Sequence, residues 1–195
     1  FIQYHLHVQL TNAHNYAHAH GIVLKGDIPI GVNRNSVDTW VSPELFHMHM
    51  QAGAPPDMFA VKGQNWELPT YNWETIKRTD FDWWKKRFAQ MSNYFDTFRI
   101  DHILGFFRIW QIPLMQVEGI MGHLYPSTPI HINEFAEKGI WFDYNRFCKP
   151  YITDAILWDF FGEEASWVKA NCLQIEDGWV LRLKTPYQSQ LNVEK

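Results

Sequence analysis

The sequence lacks most of the features that mark secreted, membrane-spanning or nucleic-acid-binding proteins. Its two cysteines, Cys148 and Cys172, are too few for a disulfide framework and predict reduced thiols in a cytoplasmic protein. No apolar run approaches the length of a membrane span, and no signal-peptide pattern opens the chain. The formal net charge is −4 and there is no basic block, so neither nucleic acid nor a membrane surface is an expected partner.

Aromatic residues, by contrast, are abundant. They make up 16% of the 195 residues, which is enough chain for one core or for one domain with an appendage. Four of the tryptophans lie in loop-like sequence beside Pro, Gly, Asn or Gln: Trp40, Trp66, Trp73 and Trp110. Indole rings in loops stack on the flat C–H faces of sugars, which favours a carbohydrate ligand; the alternative is that they pack loops against a scaffold.

The spacing of apolar residues predicts a helix over residues 1–20, with an apolar face of Ile2, Leu6, Leu10, Ala13 and Ala17 and a stop at Gly21. This segment also carries five histidines. His14 and His18 are four residues apart, a spacing that permits metal binding. No third ligand is evident in the sequence, so a solvated helix face is favoured and no metal site is predicted.

The next elements predict parallel strands. A buried strand over residues 22–30 is followed by a long connection over 31–73, a helix over 81–96, and the strand that leads to Asp101. This order is a βαβ crossover, in which active residues cluster where strands end. Asp27 and Asp101 both lie at such ends. Further on, the pattern predicts a loop over 119–129, a helix over 151–161 and a short strand over 179–183.

Three polar side chains stand out at the end of the second strand. They are Arg99, Asp101 and His102, with only Ile100 between them. A strand interior has no use for such a group, whereas a strand end that faces a ligand does. The alternative is an Arg–Asp pair that closes a sheet edge. Three more clusters supply carboxylates, amides and indoles, at residues 25–32, 53–59 and 63–73, although Asp57 in a Pro-Pro-Asp turn often bonds only to nearby backbone N–H groups.

In this order and spacing, the four clusters closely resemble the 4-alpha-glucanotransferases of glycoside hydrolase family 77. The resemblance runs from about Phe1 to Pro113, and the segment GVNRNSVDTW after the first strand is similar to the branch with a long insertion after the nucleophile strand. It implies an α/β fold, a partial (β/α)8 TIM barrel comprising about the third and fourth strands with their helices and loops. Residues 1–118 would be the barrel segment and 119–195 the start of an insertion.

The resemblance also implies roles for individual residues. Asp101 would be the nucleophile of a retaining transfer of α-1,4-glucan units between maltose, maltodextrin or glycogen-like substrates, and Arg99 would orient it and lower its pKa. His102, Asp57, Gln64 and Trp66 would bind substrate, with Trp66 as a stacking platform. Asp27 is placed with the substrate-binding residues and would support the strand end rather than react. No metal or organic cofactor is required.

The sequence departs from the family in one respect. The acid/base Glu belongs in a Glu-Asp-Leu-Gly context and the stabilising Asp in a Thr-His-Asp-Asn context, and neither segment is present; Glu176 is interpreted as a turn residue. We therefore expect a fragment that is inactive or nearly inactive alone, because loss of a general acid costs on the order of 10²–10⁴-fold in rate. The alternatives are a non-catalytic α-glucan-binding module and a structural fragment that needs the remaining barrel half or self-association.

Overall fold

The computed structural model describes residues 1–194, with the backbone alone at Asp177, as an alternation of short helices and short strands. The helices are α1 Ile2–Ala19, α2 Val37–Val41, α3 Trp73–Arg78, α4 Asp82–Met91, α5 Ile132–Glu137, α6 Tyr144–Cys148, α7 Asp154–Phe161, α8 Ala165–Cys172 and α9 Gln190–Glu194. The strands are β1 Lys25–Ile28, β2 Phe46–His47, β3 Met50–Ala54, β4 Gln64–Asn65, β5 Thr70–Tyr71, β6 Thr97–Ile100, β7 Ile109–Pro113, β8 His123–Tyr125, β9 Leu173–Asp177 and β10 Val180–Leu183.

Two compact units divide the chain. The first comprises Phe1–Leu114 and Glu118–Pro126, and the second comprises Met115–Val117 with the described residues from Ser127 onward. The assignment of residues 119–195 to an insertion stays a prediction. Within the described residues, every helix is too short or too polar to cross a membrane.

The predicted N-terminal helix is confirmed as α1, but most of its predicted apolar face is exposed and only Ala17 of that face is buried. Ile2 and Leu6 are exposed, at 71% and 44%, and Ala17 is the buried residue of this helix. The helix instead contacts the rest of the first unit through histidines, since the His7 ring hydrogen-bonds the Tyr94 hydroxyl at 2.9 Å. Polar contacts of this kind cannot be predicted from the spacing of apolar residues.

The predicted βαβ crossover is present, but its first strand is shorter than the buried strand predicted over 22–30, and Ile22 and Val23 before it are exposed. β1 and β6 pair in parallel, with Asp27 opposite Arg99 and Ile28 opposite Ile100, and α4 lies between them in sequence. Side chains alternate across this pair. Phe98 packs against the apolar cluster that contains Ile28, whereas the next residue, Arg99, lies on the opposite side of β6.

The connection over residues 31–73 was predicted to be structureless, and this is wrong. It contains α2, β2, β3, β4 and β5. β2 pairs with β5, and β3 joins β4, β7 and β8 in an antiparallel sheet of order β4-β3-β7-β8. β8 also lies inside the predicted 119–129 loop. These strands are two to five residues long, and β3 pairs with β7 nearly sixty residues away, so a local pattern could not reveal them.

The mixture of helices and small sheets fits the predicted α/β class. The partial (β/α)8 barrel stays a prediction, because one parallel pair of strands does not define a barrel.

Two apolar clusters hold the first unit together. The larger one surrounds Ile28 and joins β1, β2, β5, α3 and α4 through the buried residues Ile28, Val32, Leu45, Phe46, Tyr71, Ile76 and Trp84. The smaller one is built on Ile30, Ala52 and Ile109, and Trp66 and Leu68 pack against it. The smaller cluster therefore packs with the segments that follow β1 and β4, which contribute Ile30, Trp66 and Leu68.

The second unit has its own core. Leu157, Ala165, Leu173 and Leu181 are buried together, which joins α7 and α8 to the antiparallel β9–β10 hairpin. The predicted helix over 151–161 is confirmed as α7, and the predicted strand over 179–183 as β10. Glu176, predicted to be a turn residue, lies within β9 and forms an ion pair with Arg182 across the hairpin.

Candidate active site

Asp101 lies where the parallel pair of strands ends. Its backbone N–H donates to the Ile28 carbonyl at 2.9 Å, which extends the β1–β6 ladder by one step before the chain turns. Because the two strands are parallel, the residues at the carboxyl ends of β1 and β6 lie at the same edge. The structure therefore brings Asp27, Arg99 and Asp101 together, as their positions in the sequence predicted.

His102 turns the chain away from the strand. Its φ of 48° is in the left-handed region, which costs a residue with a Cβ about 1–2 kcal/mol, and it opens the short 3-10 helix Ile103–Phe106. Gly105 then donates its N–H to the His102 carbonyl at 2.8 Å. A Cβ at Gly105 would lie 2.6 Å from His102 Cδ2, so glycine is needed for the imidazole to keep its place.

An open cleft of about 380 Å³ adjoins these residues. Its walls combine apolar side chains with two polar groups: Pro29, Ile30, Trp66, Leu68, Asp101 and His102. The Trp66 and His102 rings meet edge to face with centroids 5.0 Å apart. The cleft thus joins an aromatic surface, a carboxylate and an imidazole, a combination suited to a ligand with apolar faces and hydroxyl groups.

Trp66 and Leu68 are held in place by β3. The Trp66 N–H donates to the Ala52 carbonyl at 2.9 Å, and the Ala52 N–H donates to the Leu68 carbonyl at 2.7 Å. The indole Nε1–H of Trp66 donates to Gln64 Oε1 at 3.0 Å. Gln64 therefore reaches the site through Trp66, whose ring it orients.

Arg99 does not hydrogen-bond the residue that it was predicted to orient. Its guanidinium donates from Nε and Nη2 to both carboxylate oxygens of Asp27, at 2.9 and 2.7 Å, and lies 3.7 Å from Asp101 Oδ1. These hydrogen bonds lower the pKa of Asp27 and raise the pKa of Arg99. Asp27 thus anchors Arg99 beside Asp101, and the orienting role of Arg99 toward Asp101 stays a prediction.

Asp57 lies in the loop between β3 and β4. Its Oδ1 accepts hydrogen bonds from the backbone N–H groups of Phe59 and Ala60, at 2.8 and 2.6 Å. This is the local turn contact that the sequence offered as the alternative for Asp57. Its predicted role in substrate binding stays a prediction.

The loop position predicted for the four tryptophans holds for Trp66 and is wrong for the others, since Trp40 lies in α2, Trp73 begins α3 and Trp110 lies in β7. The four rings also have different environments. Trp66 lines the cleft, and Trp40 is 84% exposed. Trp73 packs against Tyr71, Trp84 and Phe106, and Trp110 donates its indole N–H to the Gly119 carbonyl. The packing interpretation therefore applies to Trp73 and Trp110, and the sugar-stacking role of Trp66 stays a prediction.

The sequence reasoning missed the apolar floor of the cleft. Pro29, Ile30 and Leu68 lie inside the motif segments, but they carry no polar side-chain group and were not predicted as site residues. The signal available was their position, since each lies within two residues of Asp27, Ile28 or Trp66 in a cluster already identified.

A possible metal-ligand group lies away from this cleft. Among the described side chains, His14, His18 and Asp96 bring three ligand atoms within 4.8 Å of one another. Asp96 directly precedes β6, whereas Asp101 directly follows it, so the group and the cleft are at opposite ends of the strand pair.

A comparison with protein families matches residues 1–184 to glycoside hydrolase family 77, described as 4-alpha-glucanotransferase. The chain is 49% identical over 173 residues to the 4-alpha-glucanotransferase DPE2 of Oryza sativa subsp. japonica, which covers 89% of this chain and 18% of that protein. It is 40% identical over 110 residues to the 4-alpha-glucanotransferase of Chlamydia pneumoniae, which covers 56% of this chain and 21% of that protein. The chain thus spans about a fifth of the length of these relatives.

Solved structures give a matching result. An amylomaltase from Streptococcus agalactiae in complex with acarbose superimposes with a TM-score of 0.60 at 37% identity, covering 64% of this chain and 26% of that one. An amylomaltase from Corynebacterium glutamicum gives a TM-score of 0.56 at 24% identity, covering 72% and 18%, a likeness that concerns the fold alone.

Proposed function

Because the chain belongs to glycoside hydrolase family 77, the 4-alpha-glucanotransferases, we propose that its cleft binds an α-1,4-glucan and that Asp101 is the nucleophile of a retaining glucan transfer. The observation that carries the proposal is the meeting of Asp101, His102 and Trp66 around one cleft at the end of β6. The Streptococcus agalactiae relative was solved with acarbose.

The reaction would proceed in two displacements. A carboxylate oxygen of Asp101 attacks the anomeric carbon of the donor, the glycosidic bond breaks, and the leaving 4-oxygen takes a proton from an acid. The 4-hydroxyl of an acceptor glucan then attacks the same carbon, gives its proton to the conjugate base, and releases Asp101. Two inversions at one carbon retain its configuration.

The neighbouring residues would hold the sugar and the nucleophile. Trp66 offers an indole face for stacking, with its ring fixed by Gln64, and His102 can donate to a sugar hydroxyl. Arg99, held by Asp27, places positive charge 3.7 Å from Asp101 Oδ1 and would orient this carboxylate toward the donor sugar. Asp57 would accept a hydrogen bond from a sugar hydroxyl.

The acid that protonates the leaving oxygen would come from outside these 195 residues. The sequence contains no Glu-Asp-Leu-Gly segment and no Thr-His-Asp-Asn segment. We therefore expect the 195-residue chain to bind glucans but to turn over maltotriose at least about 10²–10⁴-fold more slowly than a full-length relative.

The residues after the cleft segment would form part of the insertion found in one branch of the family. The rice relative matches 89% of the chain and the Chlamydia pneumoniae relative 56%, so a larger part of the chain has a counterpart in the first than in the second, which is consistent with a segment found in one branch. The β1–β6 pair would take further strands on its outer edges, from the rest of a barrel or from a second copy, because a two-stranded parallel sheet is marginal alone.

Affinity electrophoresis in gels that contain amylose or glycogen tests the binding half of the proposal. We expect the chain to be retarded, Trp66→Ala to abolish most of the retardation, and Trp66→Phe to keep part of it. Trp40→Ala is the matched control, because Trp40 is exposed and does not line the cleft. Equal retardation of wild type and Trp66→Ala would contradict the stacking role.

The catalytic half requires a full-length protein that carries this segment. Asp101→Asn keeps the size of the side chain and removes the nucleophile, so disproportionation of maltotriose should fall by several orders of magnitude while glucan retardation persists. Turnover by the isolated 195-residue chain that Asp101→Asn abolishes would show instead that the acid lies within the chain.

A further inference from the structure

Two histidines of α1 converge on one carboxylate far away in sequence. His14 Nε2 lies 3.3 Å and His18 Nε2 lies 2.6 Å from Asp96 Oδ1. The histidines are one helical turn apart, and their rings lie 4.1 Å apart. The sequence offered no third ligand for this pair, and the fold provides one, 78 residues beyond His18.

The second oxygen of Asp96 fixes the carboxylate. The backbone N–H of Leu24 donates to Oδ2 at 2.9 Å, and the Asp96 N–H donates to the Leu24 carbonyl at 2.9 Å. Oδ1 is therefore the oxygen turned toward both imidazoles. A ligand carboxylate whose other oxygen is hydrogen-bonded is typical of metal sites, because that contact holds its orientation.

From this geometry, we propose that His14, His18 and Asp96 bind a divalent transition-metal ion such as Zn²⁺. Two imidazole nitrogens and one carboxylate oxygen suit zinc and its neighbours, whereas Mg²⁺ and Ca²⁺ prefer oxygen ligands. Ligand atoms around a tetrahedral zinc lie about 3.3 Å apart, so the His14–Asp96 spacing already fits and His18 needs to move by less than about 1 Å.

The site is accessible to an ion. The exposed side-chain fraction is 16% for His14, 24% for Asp96 and 49% for His18, so water can complete the coordination. One turn before His14, the hydroxyl of Thr11 is buried with no hydrogen-bond partner among the described residues. Thr11, His14 and His18 share one helix face by their spacing, so this hydroxyl offers a polar group next to the site.

The metal would act on stability and not on glucan transfer. It would join α1 to the segment between α4 and β6, at the end of the strand pair opposite Asp101. The proposal therefore stands independently of the cleft and of its function.

Calorimetric titration of the untagged, chelator-treated chain tests the site. We expect one equivalent of Zn²⁺ to bind, His14→Ala and Asp96→Asn each to weaken binding at least tenfold, and Mg²⁺ to give no saturable heat. His5→Ala is the matched control, since His5 lies on the same helix outside the cluster. The absence of a one-equivalent saturable site, or an equal loss in His5→Ala, would overturn the proposal.

Thermal unfolding separates a metal site from a simple hydrogen-bonded cluster. Zn²⁺ should raise the melting temperature of the wild type, and EDTA should reverse the rise. His18→Gln can still donate a hydrogen bond to Asp96, so its metal-free melting temperature should match the wild type while the response to Zn²⁺ is lost. A Zn²⁺ response retained in His18→Gln would contradict the ligand role of His18.

Discussion

The position of the His102 ring depends on a residue that has no side chain. His102 adopts a left-handed backbone conformation, and Gly105 packs directly beneath its imidazole. Backbone conformations of this kind persist where the surrounding structure fixes them, and they are frequent at ligand sites. The imidazole therefore packs between Gly105 and the Trp66 ring, directly after Asp101 in the chain.

We expect Gly105→Ala to weaken glucan binding. The added methyl would lie 2.6 Å from His102 Cδ2 and 2.9 Å from the side chains of Ile30 and Ile109, so the cleft must widen and stability should fall by about 1–3 kcal/mol. Affinity electrophoresis and urea unfolding measure the two effects.

The matched control for that change is Gly26→Ala. Its methyl would lie 2.7 Å from the Phe95 ring, outside the cleft, so it should lower stability without changing glucan retardation. Equal loss of retardation in both variants would show that the effect at Gly105 is global destabilisation.

At the residue scale, Asp101, His102 and Trp66 of the predicted residues line the cleft, whereas the contacts around them could not be predicted. Asp101, His102, Gln64 and Trp66 lie in contiguous motifs, so a local pattern could identify them. The partner of Arg99 is set by strand register, which places Asp27 opposite it. The meeting of Asp96 with His18 depends on the docking of α1, which no local pattern contains.

Among the elements, β5 contributes the most tightly enclosed titratable side chain of the larger cluster. Tyr71 is 5% exposed and packs against Phe46, Trp73 and Trp84. Burial raises the pKa of Tyr71 to about 12, although the guanidinium of Arg87 opposes the shift. The neutral phenol is therefore the form that the fold requires.

This raised pKa predicts a loss of stability in alkali. In the unfolded chain the phenol ionises near its ordinary pKa of 10.0, whereas in the fold it ionises near 12. Its contribution is thus fully present below pH 10 and is lost between about pH 10 and 12, by roughly 2–3 kcal/mol. Urea unfolding at pH 9, 10, 11 and 12 measures the decline.

Tyr71→Phe should flatten that decline, because phenylalanine does not ionise. Tyr16→Phe serves as the control, since Tyr16 is 68% exposed on α1. An identical alkaline decline in wild type and Tyr71→Phe would assign the effect to other groups.

Elements that form by local pattern were predictable, and those that form by distant pairing were not. α1, β1, α4 and β6 follow from periodicity and from the strand-end motifs. β2 to β5 are short, and three of them pair with strands outside their own vicinity in sequence. The predicted apolar face of α1 is buried at Ala17 alone for a related reason, since the contacts of this helix use histidines.

At the scale of the whole molecule, each of the two units has its own buried residues, and no buried residue that the structure describes belongs to the core of both. One unit is centred on Ile28, Ile76 and Trp84, and the other on Leu157, Leu173 and Leu181. Every described residue that lines the candidate cleft belongs to the first unit. Damage to the second core therefore leaves the cleft residues with their own packing.

We expect Leu157→Ala to destabilise the second unit selectively. Leu157 is 4% exposed, so its truncation should cost about 2–5 kcal/mol. Hydrogen exchange should accelerate in α7, α8, β9 and β10, with unchanged exchange in β1 and β6 and unchanged retardation by amylose.

Ile76→Ala is the reciprocal variant, because Ile76 is fully buried in the first unit. It should accelerate exchange in β1 and β6 and reduce glucan retardation. Faster exchange of β6 in Leu157→Ala would contradict the independence of the two cores.

The alternation of side chains along β6 has an evolutionary consequence. Phe98 packs with the aromatic core, and Arg99 lies on the opposite side of the strand, opposite Asp27. Inserting or deleting one residue between Thr97 and Asp101 would exchange the two sides and direct the guanidinium toward Ile28 and Trp84. Lineages that carry this segment should therefore accumulate point substitutions in it while its length stays unchanged from one descendant to the next.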